Sequence, residues 1–245
     1  MKRTGFFLLL RYSAVFAFLI AGCKKETADE DTPPINNTPT VADTIAPVIT
    51  LNGSSTVLVT LNSSYTDDGA TASDAHDGAV SVTSDLSTSN PDADQAAIYT
   101  ITYSAVDSAG NTAHATRTVT VRNDAYYLEG NYDCIENGIY QFPQTISASP
   151  TVNNRIVFSK FADYSNNSSI YANVSGTTVI FPTQTAAGIG SSGCTHTFYQ
   201  NGAGNNIALV SSKATFSIKF ADDQQAGGGC QDTNPVMYED VFMQQ

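Results

Sequence analysis

The chain has 245 residues, 41% hydrophobic and 14% charged, with 11 Lys+Arg against 23 Asp+Glu for a formal net charge of -12. This is a globular composition, long enough for one large domain or two small ones, and its acidity excludes a basic stripe that could replace counterions on nucleic-acid phosphates. Three His, four Cys and no Trp leave little material for a transition-metal site or a large aromatic sugar platform.

Lys2, Arg3 and Arg11 make a basic start around a first apolar stretch at 6–10, and an uncharged run at 12–22 ends in Leu19-Ile20-Ala21-Gly22-Cys23. A membrane-spanning helix needs ~20 uninterrupted apolar residues, and Arg11 leaves too few behind it. Residues 1–22 therefore read as a signal peptide, whose apolar region is roughly 7–15 residues long. Ile20-Ala21-Gly22-Cys23 resembles the lipobox of bacterial lipoproteins. That resemblance implies acylation of the Cys23 thiol and cleavage that leaves Cys23 as the first residue; an ordinary secretory signal is the alternative. Each buried CH₂ contributes ~0.8 kcal/mol, so one acyl chain binds marginally and two or more hold. Cleavage removes three cations and no acid, leaving 8 Lys+Arg against 23 Asp+Glu and a net charge of -15. Anionic headgroups repel such a body, so membrane contact is expected through the lipid alone. The expected location is the cell outer membrane, lipid-anchored.

Residues 23–42 read as a tether. Glu26, Asp29, Glu30, Asp31, Pro33, Pro34 and Pro39 stand there with almost nothing to bury, so the entropy of ordering is not repaid. Acids soon after a lipidated Cys resemble the surface-export signals of Bacteroidetes lipoproteins, but Lys24 and Lys25 come first. Outer-leaflet display and a periplasm-facing location both stay open.

Residues 43–123 read as strands separated by turn chemistry. Val57, Val59 and Leu61 alternate with polar neighbours, as do Tyr99, Ile101, Tyr103 and Ala105, and then Ala113, Ala115, Val119 and Val121. Period-2 patterning with one apolar face marks half-buried antiparallel strands. Asp68-Gly69, Asp77-Gly78 and Ser108-Ala109-Gly110-Asn111 lie between the runs, where positive φ is needed. Short strands at this spacing predict a β-sandwich. The phrases Ala46-Pro47-Val48-Ile49-Thr50-Leu51, Tyr65-Thr66-Asp67-Asp68-Gly69-Ala70, Val106-Asp107-Ser108-Ala109-Gly110-Asn111 and Arg117-Thr118-Val119-Thr120-Val121 resemble the bacterial surface Ig-like domain, a relative of hyalin-repeat modules. The resemblance implies an Ig-like fold, an exported setting and a spacer or adhesive role. Asp67, Asp68, Asp74, Asp77 and Asp107 are the acids a calcium ion would draw on. The preferred reading is that they form turns through their own backbone, so no metal site is assigned. His76 and His114 are expected to be exposed and unengaged. Asp43-Thr44-Ile45 and Asp107-Ser108-Ala109 resemble a short Bacteroidetes O-glycosylation motif.

Residues 124–245 are again β-rich, with strands expected near 130–135, 140–147, 155–161, 170–174, 177–181, 195–200, 206–210, 215–220 and 235–242. Ser175-Gly176 marks a hairpin, and many short hairpin-linked strands favour a small antiparallel meander that curls into a barrel. Leu128-Glu129-Gly130-Asn131-Tyr132-Asp133-Cys134, Arg155-Ile156-Val157-Phe158 and the stretch Ala172 to Pro182 resemble the lipocalin-like barrels of Bacteroidetes lipoproteins. This implies an up-and-down barrel that either holds a small apolar ligand or is filled by its own side chains. The fold class expected for the chain is thus all-β: an Ig-like sandwich followed by a small barrel.

After Cys23, three cysteines remain, and three cannot all pair within one chain. A Cys134–Cys230 disulfide is favoured, tying the first strand to the segment before the last; closing so long a loop contributes ~4–5 kcal/mol in the chain-entropy model where geometry permits. Cys194–Cys230 is the runner-up. Cys194 and His196 share a face if their strand is regular, yet no orienting partner for a thiol nucleophile is evident. The glutamates Glu26, Glu30, Glu129, Glu136 and Glu239 are scattered, and phosphate loops and HExxH are absent. No catalytic residue and no cofactor are assigned. The function expected is that of a monomeric, membrane-anchored lipoprotein in which an Ig-like spacer presents a β-barrel to an extracellular glycan, a protein or a small apolar ligand. No nucleic acid is involved. A purely structural envelope role and a hydrolase are the alternatives.

Overall fold

The computed structural model describes residues 41–163, 170–189, 194–202, 205–224 and 235–245. The expected signal peptide, Cys23 and nearly all of the tether lie outside the described residues, as does Cys230. Among the described residues no helix is long and apolar enough to cross a membrane.

The first folded part is built from β1 (Val48–Leu51), β2 (Thr56–Thr60), β3 (Ala70–Asp74), β4 (Gly78–Val80), β5 (Val82–Ser84), β6 (Ala97–Val106) and β7 (Thr112–Arg122). One sheet has the order β1-β3-β4 and the other β2-β7-β6-β5. β2 runs parallel to β7, with Val57 opposite Val119, whereas β6 and β7 form a long antiparallel pair with Tyr99 opposite Val119. The alternation seen in the sequence decides which face turns inward. Val59, Leu61, Ile101, Tyr103, Val119 and Val121 form the buried core, with Ile49, Leu51, Val57 and Val82 packed against it. Fully burying an aliphatic side chain such as Ile101 or Val119 contributes roughly 1.5–3 kcal/mol, which gives this cysteine-free sandwich its cohesion.

A short 3₁₀ turn, Asp124–Leu128, capped by the Asn123 side chain, leads into the second part. Its strands are β8 (Gly130–Glu136), β9 (Tyr140–Ala148), β10 (Arg155–Phe158), β11 (Tyr171–Ser175), β12 (Thr178–Ile180), β13 (Gln184–Ile189), β14 (Cys194–Gln200), β15 (Asn205–Asn206), β16 (Ala208–Val210), β17 (Lys213–Gln224) and β18 (Val236–Gln244). They form one sheet in the order β13-β14-β17-β18-β8-β9-β10-β11-β12-β15. The run β8 to β12 is the expected meander. The sheet curls back on itself, because β15 pairs with β12 while β16, just beyond it, pairs with β17. Of the strands of this second part, β13 alone went unread in the sequence. Its Gln-Thr-Ala-Ala-Gly-Ile run has two alanines and a glycine at its centre and so no alternation of large apolar and polar residues; it lies at the sheet edge and breaks register between Ala186 and Ile189, as edge strands often do.

Aromatic side chains fill the space enclosed by this curl. Phe161 stacks on Phe181 at 4.8 Å and meets Phe158 at 5.3 Å, Phe198 at 5.5 Å and Phe220 at 4.7 Å between ring centres. Phe216 stacks on Phe242 at 4.9 Å, and Tyr132 stands edge-on to Phe216. All of these rings are buried. Of the two interiors the barrel resemblance allowed, the described residues form the filled one.

The two parts are joined by hydrogen bonds as well as by the chain. Asn123 is buried, and its Nδ2 donates to the carbonyls of Ser149, Val152 and Arg155 at 2.9–3.0 Å. Its Oδ1 accepts from the backbone N–H groups of Ala125 and Asn154. From the sandwich side, Asn62 donates to the Thr151 carbonyl and accepts from the Asn153 N–H, and the Ala96 N–H donates to the Pro150 carbonyl. The loop between β9 and β10 is thereby gripped by the first part. Parting the buried Asn123 from its partners would leave polar groups unsatisfied, whereas the Asn62 bonds are exposed to solvent.

Candidate functional site

Three polar clusters are buried in the described residues, and the sequence's acids divide among them. The first surrounds Arg117. This residue occupies an inward position of β7, between Ala115 and Val119, and is 1% exposed. Its guanidinium pairs with Asp67 and donates to the carbonyls of Ser54, Asn52 and Gly69. Asp67 also accepts hydrogen bonds from the Tyr103 hydroxyl at 2.7 Å and the Tyr65 hydroxyl at 3.0 Å. Burial alone would raise the Asp67 pKa, but the bonds from Tyr103, Tyr65 and Arg117 outweigh it and hold the carboxyl below its usual range. Gly69 closes the arrangement: its N–H donates to Asp67 and its carbonyl accepts from Arg117 at a φ of +74°, a conformation glycine adopts without strain. Asp67 is thus committed to a cation within the protein. Asp68 beside it is exposed.

The second cluster lies at the end of the sandwich where the chain enters. Asp43, Asp74 and Asp107 each present a carboxylate oxygen, all within 4.8 Å of one another. Asp74 ends β3, and its Oδ1 accepts from the N–H groups of His76 and Asp77. Asp107 follows β6 and accepts from the side chain and N–H of Asn111. Burial works to raise the Asp107 pKa, but the bonds from Asn111, Gly110 and Ala109 prevail and keep it lowered. Asn111 also donates to the carbonyls of Asp43 and Ile45, tying the incoming segment to this turn. Asp77 stitches the two turns together by accepting from the N–H and hydroxyl of Ser108 at 2.6 and 2.9 Å. Those bonds, with that from His76, take its pKa down to about 2. The Ser108 hydroxyl, named in the glycosylation resemblance, is therefore engaged. His76 is exposed as expected but paired with Asp77, and exposed His114 is bonded to the Ser104 hydroxyl at 2.9 Å. Neither imidazole is unengaged, which corrects that expectation.

The third cluster belongs to the curled sheet. Asp240 on β18 is fully buried, and apart from the adjoining Cys134 thiol its carboxylate oxygens have no hydrogen-bond partner. Burial, and then the charge of Glu136 opposite it in register, push its pKa up to about 8. Cys134 is a free, buried thiol, so the expected Cys134–Cys230 disulfide is not formed. The residues opposite Cys134 are Phe142 and Phe242, and loop length favours a pairing only where geometry brings two sulfurs together. Burial and the neighbouring Asp240 push the Cys134 thiol up, which makes it unreactive. Cys194 is disulfide-bonded and so offers no thiol nucleophile. It does share the buried face of β14 with His196, whose Nδ1 lies 2.8 Å from the Asp222 carboxylate; this orienting acid was not evident in the sequence. Glu129 accepts from the Ala148 N–H, and Glu239 pairs with Lys219 on the surface.

With sandwich and clusters defined, the first part falls in the class of bacterial surface Ig-like domains: residues 49–121 match the family model described as bacterial surface protein, Ig-like domain. Among solved structures the chain is similar to the lipoprotein BT2262 from Bacteroides thetaiotaomicron, at 14% identity and a TM-score of 0.29, over 81% of this chain and 100% of that one. It is also similar to a structure of CBM51-2 in complex with GlcNAc and INT domains from Clostridium perfringens ZmpB, at 14% identity and a TM-score of 0.23, over 81% of this chain and 44% of that one. No curated protein matches the chain.

Proposed function

We propose that this is an envelope protein held in the outer membrane through acylated Cys23, in which the Ig-like sandwich is a spacer that presents the curled sheet to an extracellular glycan or protein. The observation that carries this reading is the match of residues 49–121 to a bacterial surface Ig-like domain. The bonded joint around Asn123 and Asn62 supports it, since a spacer that grips its cargo transmits a fixed direction. The aromatic filling of the sheet moves any ligand contact to the outside. At the open end of the enclosed face, a cleft of about 340 Å³ is lined by Glu136, Tyr140, Gln141 and the core residue Phe142, and the lining Tyr140 and neighbouring Ile139 are exposed. An aromatic face with a carboxylate and an amide at its rim suits a sugar ring, which offers C–H faces and hydroxyls together.

The test uses the Cys23→Ala chain, which lacks the anchor, on a glycan array and a panel of extracellular proteins. Selective binding that falls at least tenfold in a Tyr140→Ala variant is expected. Silence across both panels would overturn the binding role and leave a structural envelope role, which the same bonded joint favours.

A further inference from the structure

We propose that Asp43, Asp74 and Asp107 bind a calcium ion where the chain enters the Ig-like sandwich. Three carboxylates converge within 4.8 Å, and none of them has a salt-bridge partner among the described residues. Like charges so placed repel one another unless a cation lies between them. A further observation points inward to a ligand. Asp74 is only 7% exposed, yet its Oδ2 has no hydrogen-bond partner, and the Oδ2 of Asp43 is likewise buried and unpartnered. Buried carboxylate oxygens are costly to leave unbonded. In both residues the other oxygen is used locally: Oδ1 of Asp74 accepts from His76 and Asp77, and Oδ1 of Asp43 accepts from Ile45. The turns are satisfied by one oxygen of each residue, and the second is spare.

The spacing selects the ion. Calcium binds oxygen at about 2.3–2.6 Å, so two ligands on opposite sides of it are separated by at most about 5 Å. The three oxygens fall within that span. Magnesium, at about 2.0–2.1 Å, draws its ligands closer and demands octahedral geometry, and an all-oxygen set does not favour zinc. Carbonyls and water complete a calcium shell of 6–8 oxygens. The site is assembled from three chain segments: the incoming segment at Asp43, the turn after β3 and the turn after β6. These are already held together by Asn111 and by the Asp77–Ser108 bonds. Bound calcium would lock the first residues of the sandwich to its two turns and so stiffen the point where the spacer meets the tether. A dissociation constant of the order of 10⁻⁴ M is expected, in the range of extracellular modules.

The test is calcium titration of the full chain carrying Cys23→Ala, by calorimetry and by thermal unfolding, after removal of metals with EDTA. Saturable 1:1 binding and a Tm rise of about 5–10 °C at a hundredfold excess over the dissociation constant are expected. An Asp74→Asn variant keeps the Oδ1 acceptor of its turn but loses the charge. In the absence of metal it should melt no lower than the parent chain, and the calcium-dependent rise should be lost. The absence of saturable calcium binding by the parent chain, an equal Tm rise in Asp74→Asn, or magnesium binding as tight as calcium binding would each overturn the assignment.

Discussion

Arg117→Ala is expected to destabilise the Ig-like sandwich by about 3–5 kcal/mol, a large part of the roughly 5–15 kcal/mol that holds a domain folded. The loss is large because the substitution removes one partner of a buried pair. Asp67 would keep its charge in a side-chain environment only 6% exposed, with the Tyr65 and Tyr103 hydroxyls as its remaining donors. The carbonyls of Asn52 and Ser54 would lose the Arg117 donor at the same time, and that of Gly69 would keep only the Asn52 N–H. Replacing both members with apolar residues of similar volume should cost much less, because no uncompensated charge is left. The pH dependence has a definite sign. Asp67 titrates below its ordinary 3.8 in the folded chain, so its contribution is full above that value and is lost as pH falls through the lowered one. Urea unfolding of the parent and variant chains at neutral pH measures the difference; a change under about 1 kcal/mol would show that the pair is not a keystone.

In the curled sheet, Asp240→Asn is expected to raise stability at alkaline pH and to flatten the pH profile. The Asp240 carboxyl keeps its proton up to about pH 8, whereas an exposed aspartate releases it near 3.8. Between those values the folded chain holds a proton that the unfolded chain has lost. This contribution to stability is therefore full below about 3.8, declines as pH rises and is gone above about 8. An amide has no such proton to lose, and at pH 9 the variant should gain roughly 2–5 kcal/mol relative to its difference from the parent at pH 4. Thermal unfolding across that range decides the matter. Parallel profiles for the two chains would mean that Asp240 is solvated in the folded state.

The alternation of apolar and polar residues made most strands legible, because in a sheet that rhythm translates directly into buried and exposed faces. The turns at Asp77-Gly78 and Ser108 to Asn111 were legible too, since Gly78 and Gly110 supply the positive φ that such turns require. What the alternation concealed is the charged residue at an inward beat. Arg117 interrupts the series Ala115, Val119, Val121, and Asp240 stands between Tyr238 and Phe242. In both cases a polar group on the apolar face of a strand is itself the signal that a partner or an unusual protonation state is waiting. The carboxylate cluster was half legible. Asp74 and Asp107 were among the acids weighed for calcium, but Asp43 joins them from the incoming segment, at a sequence distance no local spacing rule covers. Asp67 and Asp77 were equal candidates in the sequence, and only the contacts with Arg117, His76 and Ser108 remove them. The disulfide was misjudged for a related reason: closure entropy ranks cysteine pairs by loop length, while the register sets Cys134 among phenylalanines.

A lipid at Cys23 is proposed to hold the folded body on the envelope. Radiolabelled palmitate incorporation, read together with antibody labelling of intact cells that express the full chain, tests it most directly. Incorporation and surface labelling are expected in the parent chain, with both lost in Cys23→Ala. Palmitate retained in Cys23→Ala, or a protein that antibodies reach only in the cytosol after lysis, would contradict this anchoring.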